Sequence, residues 1–333
     1  MTEEHKQITQ EDAPKSEVTF LKINKLLDGT RLDKVLIEKY PAASFGSVQK
    51  LCRKGQIRVD GKRVKGNERV VVGQEVRIPP EFTAPMDEAH EKKKYVYHLS
   101  AQDKRDIEDM TIFEDKEIVV LNKPYGLPVQ AGSGHSKSVD RMMEANTKKD
   151  NKPKLVHRID KTTTGVLVLA KTKEMAQTLS NQFKNRKVQK TYWAIVEGKA
   201  KVGLEGVIKT PMEVVVKEGR EKMAAKGGYE KMAETSYKVM DSAGMYHWLE
   251  VYPKTGRKHQ IRVHLESIGL PIVGDIKYGG KRIKGDEGIP SGKLFLHARA
   301  VNLTFPGGHN RYFKASIPDH FKKMFKIMGW TEV

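Results

Sequence analysis

Three side chains stand where ordinary acid–base or nucleophilic chemistry could be done. Asp160 closes the run Leu155-Val156-His157-Arg158-Ile159-Asp160 and is followed by Lys161-Thr162-Thr163-Thr164-Gly165, a charge-dense stretch between apolar segments. A carboxylate in such a Gly/Thr-rich turn is partly desolvated and calls for a cation nearby. Tyr192 lies in Lys190-Thr191-Tyr192-Trp193-Ala194-Ile195-Val196, and Arg262 in Thr255-Gly256-Arg257-Lys258-His259-Gln260-Ile261-Arg262-Val263-His264. Each also has a plain structural reading. Asp160 could cap the backbone of Thr162–Thr164. Tyr192 could be a half-buried strand tyrosine, and Arg262 could pair with Glu266 one helical turn on. Residue chemistry alone leaves these alternatives open.

The elements that must position them are legible in outline. Glu117 to Pro124 reads as a buried strand running into a Pro/Gly loop through Gly126, and Val166 to Ala170 as a second buried strand. The segment 190–196 alternates like a strand. The segment around Arg262 fits either period. Gln260, Arg262 and His264 alternate with apolar residues, yet Ile261, Leu265 and Ile268 fall at i, i+4 and i+7. Gly269 and Pro271 then end a helix. A helix with Arg262 near its start is the expectation.

Cofactor chemistry finds no motif. There is no phosphate-cradling G-x-x-x-x-G-K-[ST] loop, no H-E-x-x-H, and no G-x-S-x-G elbow. Ala131-Gly132-Ser133-Gly134 lacks the third glycine of a dinucleotide fingerprint. The single cysteine, Cys52, forms no internal disulfide and no thiolate zinc cluster. The expectation is therefore no metal, no nucleotide cofactor, and a mechanism carried by ordinary side chains.

With 333 residues the chain exceeds one typical domain. Its 61 Lys and Arg against 42 Asp and Glu give a formal charge of +19, which makes a polyanion the leading partner: nucleic acid first, an anionic membrane second. No apolar run approaches the ~20 residues of a membrane span, and no basic amphipathic anchor is evident. The polar start, MTEEHKQITQEDAPKSE, has no secretory or transit pattern, so a cytoplasmic location is expected.

Four pieces follow along the chain: a polar tail expected to be disordered (1–16), a compact basic module (17–85), a mixed-charge linker (86–107) and a larger region (108–333). In the module, Thr30 with Asp33 suggests a capping-box helix start, and Leu32, Val35 and Leu36 recur at helical spacing. A second helix starts near Ser44, buries Val48, Leu51 and Cys52, and stops at Gly55. Asp60-Gly61 signals a hairpin, and VVVGQEVRIP a closing strand. Residues 31–80 hold twelve Lys and Arg against five Asp and Glu. Lys50, Arg53, Lys54 and Arg58 lie off the apolar stripe and are candidates for an RNA-facing patch.

The stretch TRLDKVL…SFGSVQKLCRKGQIRVDGKRVKG…GQEVRI resembles the alpha-L RNA-binding domain first recognised in a small-subunit ribosomal protein. HRIDKTTTGVLVLAKT is very similar to the H-R-L-D-x-x-T-S-G signature of the RluA-type pseudouridine synthases. NKPYGLPV, KTYWAIVEG, PKTGRKHQIRVHLESIGLPIVGDIKYG and LFLHARAVNLTFP match in family order. Ile159 and Thr164 replace the usual leucine and serine without removing a functional group.

The resemblance implies an α+β fold: a small alpha-L domain followed by a mixed, largely antiparallel sheet with peripheral helices and a central cleft. It implies isomerisation of uridine to pseudouridine in RNA without a cofactor. By position, Asp160 is the catalytic carboxylate, Arg262 its partner, and Tyr192 the residue stacking on the target base. Arg158 would fill the space left by the flipped base, and Leu296 would be an apolar pocket wall. The alpha-L module and the loop Gln130-Ala131-Gly132-Ser133-Gly134 look most like members acting at several positions of large-subunit ribosomal RNA. A transfer-RNA enzyme and a non-catalytic RNA-binding assembly factor are the alternatives. A monomer is expected.

Overall fold

The computed structural model describes residues 18–83, 97–131, 137–147, 152–217, 220–280, 288 and 290–332. The tail expected at 1–16 and Gly132–Gly134 lie outside the described residues. Contacts divide the chain into two units, residues 1–95 and 96–333.

The first unit contains β1 (Thr19–Lys22), α1 (Leu32–Lys39), α2 (Phe45–Lys54), β2 (Arg58–Val59), β3 (Lys62–Arg63), β4 (Glu75–Ile78) and one turn of helix, α3 (Pro80–Thr83). Its strands pair in the order β1-β4-β2-β3. Helix α2 follows the local sequence closely. The Ser44 and Ser47 hydroxyls exchange capping bonds at its start, Val48, Leu51 and Cys52 are buried, and Gly55 takes the left-handed cap at φ 71°. Asp60 (φ 48°) and Gly61 (φ 74°) make the hairpin turn.

Two local expectations fail here. Thr30 does not cap α1. Its carbonyl instead accepts from the Val70 N–H at 2.9 Å, and Asp33 takes both branches of the Arg31 guanidinium at 3.1 and 2.7 Å. Pairing with a distant segment overrides the local cap. The closing strand is also shorter than VVVGQEVRIP suggests. Gly73 (φ 90°) makes a turn that leaves Val71 and Val72 exposed, and the strand starts only at Glu75.

The second unit opens with α4 (Ala101–Met110), β5 (Thr111–Glu114), β6 (Ile118–Lys123), α5 (Val139–Ala145), β7 (Lys154–Leu155), β8 (Thr164–Ala170) and α6 (Lys173–Lys184). It continues with β9 (Gln189–Glu197), β10 (Glu205–Pro211), β11 (Glu213–Lys217), β12 (Arg220–Ala224), β13 (Met232–Ala243), β14 (Tyr246–Pro253), α7 (Gln260–Ser267), β15 (Leu296–Thr304), β16 (Asn310–Lys314) and α8 (Asp319–Met328). The main sheet runs β10-β13-β14-β9-β15-β8-β6-β5, with β16 on β15 and β7 on β8. Among the described strands, β15 and β8 form its parallel pair, at His297↔Thr164 and Ala298↔Gly165.

Strands β6 and β8 are nearly continuous apolar runs because both faces are covered. Val119, Leu121, Leu167 and Leu169 pack with residues of α4 and α5, while Ile118, Val120, Val166 and Val168 pack with Met175 and Leu179 of α6. Strands β9 and β14 share a third core with α7 and α8. No helix of the described residues is long and apolar enough to cross a membrane.

Helix α4 takes in residues 101–107 of the expected linker (86–107), so that stretch is part of the second unit. Few aliphatics are needed because Ile107 and Met110 alone enter the core. The start is fixed by the Ser100–Asp103 capping box, and the buried Asp103 carboxylate also takes the Tyr97 hydroxyl and Lys137.

Three of the buried imidazoles should make the fold of this unit sensitive to acid. Burial pushes His297 down to about 3, and His264 and His320 down to about 4. In the unfolded chain each binds a proton near pH 6.5, so between there and pH 4 the unfolded state holds more protons. Stability should therefore fall as pH is lowered through that window. Urea midpoints at pH 7.5, 6 and 5 check this; a midpoint independent of pH would contradict it.

Candidate active site

Asp160 sits in the loop that feeds β8, and that loop is held on all sides. Upstream, the His157 ring stacks on Phe183 at 4.4 Å and its Nε2 accepts from the Val168 N–H at 2.9 Å. That bond requires an unprotonated Nε2, and burial pushes His157 down to about 3. Downstream, the Thr164 hydroxyl lies 2.9 Å from His297 Nδ1. Gly165 has φ +104°, and a Cβ there would fall 2.2 Å from the Ala298 carbonyl oxygen. Only glycine lets the parallel strands approach this closely at the foot of the loop.

From the side, Lys123 at the end of β6 reaches in, fully buried. Its ammonium donates to the carbonyls of Pro124, Leu127 and Lys161 at 2.9, 3.0 and 3.1 Å. The Gly126 N–H adds a bond to the same Lys161 carbonyl. Burial pushes Lys123 down to about 7 and the Asp160 charge pulls it back. Three carbonyl acceptors match the three protons of an ammonium, which favours the charged form.

Arg262 comes from α7, a helix over Gln260–Ser267 as the apolar spacing predicts. The helix entry is anchored by Gln260, whose amide nitrogen donates to Glu234 O and Thr235 Oγ1, both at 2.9 Å. The Arg262 guanidinium makes a fork with the buried Asp275, Nε and Nη2 donating at 2.6 and 2.7 Å. It also lies 4.9 Å from the centre of the Tyr278 ring. The remaining branch, Nη1, stands 3.6 Å from Asp160 Oδ2. Glu266 is exposed while Arg262 is buried, so the partner one turn away is not used. A buried guanidinium needs a buried counter-charge, which Asp275 supplies.

Tyr192 is on β9, opposite Val251 of β14 and Ala298 of β15. It packs against the cluster containing Ile159 and Ala298. Burial and the nearby Asp160 charge both push its phenol upward, so it stays protonated at neutral pH. Asp160, Tyr192 and Arg262 thus meet at the join of the two sheet halves. His259 joins them, its Nε2 3.7 Å from Asp160 Oδ2.

The other candidates divide between this loop, the neighbouring core and the first unit. Arg158 is exposed two residues before Asp160. Leu296 is buried in the core that Tyr192 also packs against. Lys50, Arg53 and Lys54 are exposed on or at the end of α2 in the first unit. Arg58 there is half-buried and bonded through its guanidinium to the carbonyls of Gly55 and Gly61 at 3.0 and 3.1 Å. Sequence reasoning passed over Lys123, Asp275 and Tyr278, although all three stand in the segments NKPYG and VGDIKYG. A lysine two places after the apolar run Ile118–Leu121 and an aspartate after Gly274 are the signals that point to them.

The profile of RNA pseudouridylate synthases matches residues 117–267, and that of the S4 domain residues 30–76. Among curated relatives, a ribosomal large subunit pseudouridine synthase C of Escherichia coli O157:H7 is 33% identical over 299 residues, covering 89% of this chain and 92% of that protein. The enzyme of the same name from Rickettsia bellii (strain RML369-C) is 34% identical over 298 residues, 89% and 97% of the two chains. Among solved structures, human RNA pseudouridylate synthase domain containing 4 aligns with a TM-score of 0.56 at 29% identity, covering 69% of this chain and 98% of that one. The fold, the ordered motifs and these relatives converge: the chain belongs to the RluA-type RNA pseudouridine synthases and carries an S4 RNA-binding domain ahead of its catalytic domain.

Proposed function

We propose that the protein isomerises several specific uridines of large-subunit ribosomal RNA in the cytoplasm, acting as a monomer with Asp160 as its catalytic carboxylate. The observation that carries the reading is the Asp160 carboxylate beside Arg262 and Tyr192, its side chain still 28% exposed for a ribose to reach. The relatives named for the large ribosomal subunit support the substrate class.

In this reading the N1–C1′ bond of the target uridine breaks with its electron pair going to the ring. The uracil turns, C5 bonds to C1′, and the C5 proton is exchanged for one at N1, so the sum is an isomerisation. Asp160 serves either as nucleophile at C1′ or as base toward the ribose, and both routes need it ionised. Arg262 Nη1, 3.6 Å from the carboxylate, is its nearby cation. The Tyr192 ring stacks on the base, a contact worth about 1–3 kcal/mol. Arg158, exposed on the same loop, takes the place of the extruded base and returns part of the unstacking cost.

The test maps pseudouridine in total RNA from cells lacking the protein, complemented with wild type or Asp160→Ala. Loss of marks at large-subunit sites, restored by wild type alone, is expected. Marks lost from transfer RNA would move the substrate, and restoration by Asp160→Ala would remove the carboxylate from the chemistry.

The S4 patch gives a second check. Replacing Lys50, Arg53 and Lys54 by Gln, and sparing Arg58 because it holds the Gly55–Gly61 turn, should weaken RNA binding. The slope of log affinity against log salt should drop by about 0.7–0.9 for each phosphate that is no longer neutralised. Filter binding from 50 to 300 mM salt measures it. An unchanged slope would place the RNA elsewhere.

A further inference from the structure

His259 touches Asp160 yet has no part in the mechanism above. It precedes α7 in the left-handed region, at φ 56°, a conformation that a residue other than glycine keeps only when its surroundings demand it. What holds it is Tyr278. The His259 Nδ1 lies 2.7 Å from the Tyr278 hydroxyl, and the two rings stand near perpendicular, at 76°, with centroids 5.4 Å apart. Tyr278 is itself fully buried, and its hydroxyl oxygen accepts from the Met223 N–H at 3.2 Å.

These contacts favour one imidazole tautomer. The Tyr278 oxygen already receives one donor, and its own proton finds His259 Nδ1 as acceptor among the described residues. A neutral ring that accepts at Nδ1 carries its hydrogen on Nε2. Burial, with the charges of Arg262, Lys277 and Lys258, keeps the ring neutral against the pull of Asp160, down to about pH 4. The hydrogen is then on Nε2, the atom that stands 3.7 Å from Asp160 Oδ2, the same oxygen that Arg262 Nη1 approaches at 3.6 Å. Both distances suit an apo site whose hydrogen bonds tighten when substrate closes it. Among the described residues nothing donates to Oδ1.

We infer that His259 is a positioning residue for Asp160: its Nε2–H and the Arg262 guanidinium together hold Oδ2 and leave Oδ1 as the oxygen that meets the ribose. Tyr278 serves both donors, bonding the imidazole and stacking on the guanidinium. The inference rests on Asp160 being the catalytic carboxylate, so the experiment carries that control.

Single-turnover pseudouridine formation is measured with enzyme in excess over large-subunit RNA extracted from cells lacking the protein, alongside RNA affinity. The variants are His259→Phe, His259→Gln, Tyr278→Phe and Asp160→Ala. His259→Phe should slow the saturating rate about 10–100-fold, the usual loss when a supporting hydrogen bond is removed, with affinity within twofold. His259→Gln, which restores a donor near the Nε2 position, should recover most of that loss. A purely structural histidine would not be rescued by glutamine. Tyr278→Phe, which keeps the ring but frees the tautomer, should fall between wild type and His259→Phe.

A wild-type rate for His259→Phe, or equal losses for Phe and Gln, would overturn the inference. Should His259→Phe not fold, a wild-type rate for Tyr278→Phe does the same. If Asp160→Ala is dead while the His259 variants are unaffected, only the inference fails. If Asp160→Ala is active, the site reading fails and takes the inference with it.

Discussion

Asp160→Asn is expected to lower the single-turnover rate of pseudouridine formation by about 10⁴-fold or more, the scale on which removal of an essential nucleophile acts. The substitution keeps the shape of the side chain and removes only its charge and its basic oxygen. Arg262 retains its two bonds to Asp275, so the helix that carries it has no reason to move. The carboxylate is partly exposed, with cationic contacts of 3.6 and 3.7 Å. The folded state should therefore lose no more than ~1 kcal/mol, the scale of a partly exposed ion pair. RNA affinity should be unchanged, because binding draws on basic and stacking residues rather than on a carboxylate. Three readouts on one variant separate chemistry from folding and from binding. Residual activity within tenfold of wild type would take the reaction away from Asp160.

Arg262→Met should act on stability as strongly as on turnover. The arginine sits between two carboxylates, and one of them, Asp275, is 2% exposed. Removing the cation leaves that charge buried without a partner, which costs about 3–5 kcal/mol. Restoring neutrality should recover most of the loss, so Arg262→Met combined with Asp275→Asn is expected to unfold near the wild-type urea midpoint. Activity should not return with it, because Asp160 still lacks its counter-charge. Arg262→Lys keeps the charge but cannot make the two-pronged contact, and should be intermediate in stability. A single variant as stable as wild type, or a double variant that is active, would show that the Asp275 bridge does not serve the site in this way.

What the sequence made legible was the part set by nearest neighbours. The α2 cap, the Asp60-Gly61 turn and the α7 spacing each rest on residues within one or two turns of one another, and each appears in the structure. The failures share a different cause. Thr30 lost its capping role to a bond with Val70. Arg262 took a partner thirteen positions along the chain rather than four, because its head group is buried where Glu266 cannot follow. Lys123 stood in a recognisable motif, but its three carbonyl acceptors come from loops that only tertiary packing brings together. Helix α4 was hidden by its charge content although its capping box was in plain view. Asp160, Tyr192 and Arg262 were named through resemblance. Residue chemistry by itself had left each of them with an ordinary alternative.

The parallel pair of β8 and β15 bears on when the proposed site can assemble. Thr164 and His297, its register partners, are 133 positions apart, and such distant contacts close late because the intervening chain must first give up its freedom. In the sheet order β15 stands between β5, β6 and β8 on one side and β9, β14, β13 and β10 on the other, two antiparallel groups that meet through it among the described strands. Asp160 belongs to the first group and Tyr192 to the second. On a ribosome both residues have left the tunnel long before the strand that aligns them has been made. The site proposed around Asp160 and Tyr192 should therefore assemble on the nascent chain only after its last long strand is made, whereas the S4 domain, residues 30–76, is complete much earlier.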